Sequence, residues 1–316
     1  MSQFINPFTD FGFKRIFGQE SNKRLLIGFL NALFEGEFVV QDLEYRDKEI
    51  LGNSRQDRCV IYDIYCTLDD GRHFILEMQN QRHTNFDARA LYYLARAIYA
   101  QGQKGDDWNY EYCPVFGIYF MNYKEKLLGD AYRADYGIIQ TQACFASQTQ
   151  SVPVKDASLS FANKLRMIFL QMPQFTLEEC ECRTELEKWM YIMNHLDKLP
   201  KIPWAAQNEL FEELSKVSNV AALSHEERVV YDELLRQYRD NIVIQQASIE
   251  DGIEIGIEIG EKRGIEIGEK RGIEIGEKRG IEITKVNIAR QLKQAGIDMN
   301  RIAQSTGLSL EDVEKL

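Results

Sequence analysis

The chain has 316 residues, 44% of them hydrophobic and 28% charged, with a net charge of −11 at pH 7. That length serves one large or two small domains with a sizeable core, and the proportions are those of a soluble globular protein. The acidic balance, with no basic tail, disfavours a non-specific nucleic-acid coat but is compatible with a local grip on a short stretch of DNA.

No stretch approaches the roughly 18 apolar residues of a membrane span. The opening residues, MSQFINPFTDFGFK, lack a basic region followed by an apolar run, so no signal peptide is expected. Six cysteines, at 59, 66, 113, 144, 180 and 182, form no CxxC pair, and four dispersed histidines form neither HxxxH nor HExxH. Zinc is therefore disfavoured, and the cysteines read as reduced residues of a cytoplasmic protein.

Residues 10–35 predict a helix or two, with Ser21 as an N-cap before Leu25, Leu26, Phe29, Leu30 and Leu33 at helical spacing. EFVVQDLEYRD (37–47) reads as a strand. Two further strands follow, VIYDIYC (60–66) and HFILEMQ (73–79), around Asp69-Asp70-Gly71. A three-residue hairpin loop is commonly a type I turn followed by a left-handed residue, best filled by Gly. Gly71 sits at that place, and the register then sets Asp63 opposite Glu77 and residue 61 opposite Gln79. A two-residue turn at Asp70-Gly71 would instead set Asp63 opposite Met78 and scatter the acids over both faces. The first register is favoured.

In that register Asp63, Glu77 and Gln79 share one face, with opposed Cβ atoms about 5 Å apart. Two half-buried carboxylates so close repel each other and need a positive charge between them. A hard cation with oxygen ligands, Mg²⁺ above all, fits two acids and waters. The competing reading pairs one acid with Arg58 or Arg72, or turns it to water.

NFDARALYYLARAIYAQGQKG (85–105) predicts an amphipathic helix, and CPVFGIYFMNY (113–123) a buried strand. The order helix, strand, strand, strand, helix, strand is an α/β sandwich with an antiparallel hairpin. KLRMIFLQMPQF (164–175) reads as a further strand at a sheet edge, ended by Pro173. Residues 176–246 carry helical stripes, with Ser224 and Glu227 as a capping box and Trp189, Met190 and Tyr191 as core.

Residues 252–283 repeat the unit GIEIGEKR with period eight and glycine at every fourth position. All the isoleucines here are odd-numbered, which suits a strand. Glu258–Lys262, Glu266–Lys270 and Glu274–Lys278 are favourable i, i+4 pairs, which suit a helix. Helix is preferred. Each interior glycine costs about 1 kcal/mol against alanine, so such a helix needs a partner, and self-association through this arm is expected. The last 33 residues predict three short helices bounded by Gly296, Asp298, Gly307 and Ser309. Their spacing is like a helix-turn-helix, but Glu311, Asp312 and Glu314 on the last helix would meet phosphates with like charge. An oligomerisation cap or docking site suits them better.

NPFTDFGFKRIFG, IYDIYC…GRHFILEMQ, NFDARALYYLARAI and PVFGIYFMNY together resemble the recombination-promoting nuclease and transposase family of the PD-(D/E)XK superfamily. The resemblance is strong over residues 4–125 and looser beyond. It implies an α/β fold of α+β character, a mixed sheet flanked by helices, that binds Mg²⁺ and hydrolyses DNA phosphodiesters. The superfamily's aspartate maps onto Asp63 and its (D/E)XK onto Glu77-Met78-Gln79, so Gln79 stands where the superfamily has lysine. The resemblance implies Asp63, Glu77 and Gln79 as catalytic residues, with Asp63, Glu77 and a first-helix acid, Glu20, on the metal. Arg89, Tyr93 and Arg96 lie on one stripe of the helix after the motif. They either hold phosphate oxygens or form core and solvated positions.

The expected organisation is a nuclease-like core over 1–175, a helical packing module over 176–249, the repeat arm over 250–283 and a helical cluster over 284–316. The expected activity is Mg²⁺-dependent DNA cleavage in recombination or transposition. The alternative is a non-catalytic scaffold on a nuclease fold, assembled through its C-terminal repeat.

Overall fold

The computed structural model describes residues 2–50, 60–103, 105, 108–138, 143–145, 148–150 and 163–316. They form two compact units, Met1–Arg239 and Asp240–Leu316.

The first unit is built on a six-stranded mixed sheet. Its strands are β1 (Leu43–Tyr45), β4 (Ile64–Leu68), β5 (His73–Gln79), β6 (Val115–Met121), β7 (Arg133–Gly137) and β10 (Leu165–Gln171), in the order β1-β4-β5-β6-β10-β7. The β5–β6 and β6–β10 pairs are parallel, and the other three are antiparallel. Two small ladders stand apart: β2 (Glu49–Ile50) with β3 (Val60–Ile61), and β8 (Ala143–Phe145) with β9 (Gln148–Gln150).

The sheet is covered on both faces, and period-two alternation sorts its side chains. Ile64, Cys66, Phe74, Leu76, Phe116, Ile118, Phe120, Ile168 and Leu170 join one core. It is shared with α1 (Asp10–Phe17), α2 (Lys23–Leu33), α4 (Glu185–His195), α5 (Glu209–Val217) and the start of α6 (His225–Gln294). Tyr65, Ile75, Tyr119, Met121 and Phe169 face the other way, onto α3 (Phe86–Tyr99). Gly117 lies on the α3 face. A Cβ there would meet Leu94 Cδ1 at 2.7 Å and Tyr119 Oη at 2.6 Å, so its absence lets α3 settle close to the sheet.

The three-residue hairpin holds. Ile64 pairs with Leu76 and Thr67 with His73, Gly71 has φ +86°, and Leu68 donates its N–H to Arg72 O at 2.8 Å. Four local expectations change. The strand expected over 60–66 breaks at Tyr62-Asp63, because Tyr62 donates to Lys48 O at 2.9 Å and β3 pairs with β2; residue 61 is therefore paired with Glu49 and not with Gln79. The strand expected over 37–47 shrinks to β1, since Asn31 of α2 takes both the N–H and the C=O of Val40. Ser21 lies inside a 3-10 turn, and Asn22 is the residue that precedes α2. The strand over 164–175 is interior, between β6 and β7, and not an edge.

Residues 176–239, the larger part of the helical packing module expected over 176–249, pack into the first unit's core. Trp189 meets Phe17, Phe29 and Phe211 within 6.0 Å. The Tyr231 hydroxyl accepts the N–H of Asn6 at 2.9 Å. Ser224 and Glu227 cap α6 reciprocally.

In the second unit the repeat is helical throughout, inside α6, with Glu–Lys pairs of 2.5, 2.8 and 2.7 Å at 258–262, 266–270 and 274–278. α7 (Met299–Thr306) and α8 (Leu310–Glu314) follow, capped by Asp298 and Ser309. Ala289, Ile302 and Val313 form their small core. No helix among the described residues is long and apolar enough to cross a membrane.

Candidate active site

β5 carries Glu77 and Gln79 on the α3 face, two residues on from Ile75. Asp63 stands at the break before β4, where the hairpin register brings it level with Glu77. Main chain laces the two acids together. Asp63 donates its N–H to Glu77 Oε1 at 3.3 Å, and Met78 donates its N–H to Asp63 Oδ2 at 2.9 Å. Gln79 Nε2 donates to Glu77 Oε2 at 3.3 Å, and Gln79 Oε1 accepts from Arg89 Nη2 at 2.6 Å.

Burial dominates the electrostatics. Glu77 is 5% exposed. Its carboxyl is pushed up to about 8, first by burial and then by the charge of Asp63, against the pull of the Asp63 N–H, Arg89 and Lys14. Asp63 is raised too, chiefly by burial; the Met78 N–H, Lys14 and Lys48 oppose this, and Asp10 adds to it. Lys48 is lowered, first by its own burial and then by Lys14.

Among the described residues neither acid has an ion pair. Arg72, one expected partner, pairs with Asp70 and lies over the Phe38 ring. Arg58 lies outside the described residues. Glu20, expected as a third metal acid, is exposed and pairs with Lys23 at 3.3 Å. The first-helix charges that reach Asp63 are those of Asp10 and Lys14, an i, i+4 pair on α1 at 2.5 Å. Sequence reasoning passed over them, although both stand in TDFGFK, where their spacing puts them on one helix face.

The stripe of α3 divides by position. Arg89 reaches Gln79. Tyr93 packs edge-to-face on Tyr62 at 5.6 Å and accepts the Tyr62 hydroxyl at its carbonyl. The Arg96 guanidinium lies 5.6 Å from the Tyr99 ring centroid. Nearby, a groove of about 960 Å³ lies between α3 and β10, with Met121, Tyr136 and Phe169 in its wall and the Arg82–Glu125 pair beside them. Asp63 and Glu77 are not part of that wall.

No group of three or more His, Cys, Asp or Glu is placed to hold a metal among the described residues. Two carboxylates stand together instead, both raised chiefly by burial. That suits one hard divalent ion completed by water.

The chain matches no curated protein and no solved structure. Residues 7–248 match the family described as PD-(D/E)XK nuclease family transposase. PD-(D/E)XK nucleases usually use divalent metals. A mixed six-stranded sheet flanked by helices, two facing acids at one hairpin and a match over most of its length together identify the chain as a member of the PD-(D/E)XK nuclease family transposases.

Proposed function

We propose that the chain is a Mg²⁺-dependent DNA endonuclease that hydrolyses phosphodiesters in recombination or transposition. One observation carries the reading: a buried acid, Glu77, and a half-buried one, Asp63, face each other, and neither has an ion pair among the described residues. Asp63 and Glu77 would hold the Mg²⁺, which when bound polarises a phosphoryl oxygen and lowers the pKa of a bound water.

The chain's own groups do the rest. Glu77, whose carboxyl burial and Asp63 push up, would have to be ionised to hold the ion. The Gln79 amide orients by hydrogen bonding; it takes no proton and brings no charge. Lys14 and Lys48 supply positive potential beside Asp63, which favours an incoming phosphate in an otherwise acidic molecule. The groove beyond Met121 offers an aromatic wall for the adjoining strand.

The decisive experiment is plasmid cleavage with and without Mg²⁺, beside Asp63→Ala. Cleavage that requires Mg²⁺ and disappears in the variant is expected. A wild-type chain that never cuts leaves the scaffold reading, which draws on the exposed isoleucines of the repeat and a self-association through that arm.

A further inference from the structure

The amide of Gln79 stands between a guanidinium and a carboxyl, with Oε1 on Arg89 and Nε2 on Glu77. Arginine only donates, and the ionised carboxylate that would hold a cation only accepts, so a side chain linking them in that state must offer one of each. An amide does. A lysine ammonium offers three donors and no acceptor, and beside Arg89 it would set two cations together.

The guanidinium is itself held in place. Its carbon lies 5.1 Å from the Phe86 ring centroid and 5.9 Å from that of Tyr93, three residues before it and four after it on α3. Phe86 is anchored in turn, edge-to-face on Tyr119 and Phe169. The route from the sheet core to the acids therefore runs Phe86, Arg89, Gln79, Glu77.

We propose that Arg89 is a positioning residue. It fixes the Gln79 amide with Nε2 toward Glu77, and the Arg89–Gln79 couple replaces the single lysine that the resemblance expects at position 79. The proposal rests on the nuclease reading above. It also sets the outcome of Gln79→Lys, which puts the superfamily's residue at that position. With Arg89 in place, the new ammonium turns to Glu77 and competes with Mg²⁺.

The test uses the full chain and two readouts: kcat and KM for plasmid cleavage across a Mg²⁺ titration, and calorimetric binding of Mg²⁺ alone. Arg89→Ala is expected to lower kcat about ten- to hundredfold, the usual effect of losing a partner behind a metal ligand, with KM little changed. Arg89→Lys, which keeps a donor, recovers part of the loss. Gln79→Lys weakens Mg²⁺ binding, and adding Arg89→Gln restores it by removing the second cation.

A raised KM with a salt slope reduced by about one on Arg89→Ala would mark a phosphate contact and overturn the proposal. So would unchanged kcat and Mg²⁺ affinity in that variant, or a double variant no better than Gln79→Lys. Wild-type chain that binds Mg²⁺ without cutting DNA overturns the nuclease reading alone, and the 79/89 exchange is then judged on Mg²⁺ affinity. Wild-type chain that binds no Mg²⁺ overturns both.

Discussion

Asp63 donates its backbone N–H to the Glu77 carboxylate at 3.3 Å, so one acid of the pair is held by the main chain of the other. An amide oxygen can accept the same bond. Glu77→Gln and Asp63→Asn should therefore leave the fold intact while abolishing Mg²⁺-dependent DNA cleavage. Metal-free stability should rise, because a neutral amide replaces a carboxyl that burial and the neighbouring acid disfavour as an anion. Circular dichroism and a plasmid assay check both halves. Cleavage at the wild-type rate in either variant would remove the pair from the chemistry.

Stability should depend on pH through Glu77. Its carboxyl titrates near 8 in the folded metal-free chain against the usual 4.5, so between those values the folded state holds a proton that the unfolded state has lost. The contribution is full below about 4.5 and is lost as pH rises toward 8. Glu77→Gln lacks this loss. The stability gap between variant and wild type should widen across that window, by at most about 1.4 kcal/mol per pH unit. Urea unfolding at pH 5, 6, 7 and 8 measures it, and a gap that stays flat with pH contradicts the assignment. Mg²⁺ loading in the same window should release a proton, visible as a buffer-dependent heat.

Tyr231 ties the start of α6 to the N-terminal segment. Its hydroxyl accepts the buried N–H of Asn6, and its ring lies 5.7 Å from that of Phe11. Tyr231→Phe keeps the ring and orphans the donor. The expected cost is about 1–3 kcal/mol in urea unfolding. A loss under about 0.3 kcal/mol would mean that this tie adds nothing to stability.

The repeat should matter to assembly and not to the first unit. The glycines from 252 to 280 face open space, with nothing within 4 Å of where a Cβ would stand, and the isoleucines beside them are exposed. Deleting residues 250–316 should leave a folded chain that still binds Mg²⁺ but has lost self-association. Sedimentation of the two chains decides this; equal oligomeric states would end the idea.

The hairpin was legible because its turn chemistry is local. Gly71 dictates the loop, the loop dictates the register, and the register brings Asp63 level with Glu77. The caps at Asp298 and Ser309 were readable for the same reason. What escaped depends on contacts distant in sequence. Asn31 takes the backbone of Val40 away from β1, Lys48 takes Tyr62 away from β4, and neither leaves a periodic trace. The role of Arg89 was half visible, since its stripe on α3 could be counted but not the amide it would meet.

Ile265, Ile273 and Ile281 recur every eight residues along α6 and are each about 60% exposed. On a helix of 3.6 residues per turn, eight residues overshoot two turns by about 80° and advance about 12 Å. The isoleucines thus trace a right-handed ribbon that circles the helix once in about 54 Å, with Ile267, Ile275 and Ile283 on a second ribbon about 200° away. A straight partner laid alongside would lose phase with either ribbon within two repeats. Contact along the whole arm requires partners wound right-handed about each other, the opposite hand to a heptad coiled coil.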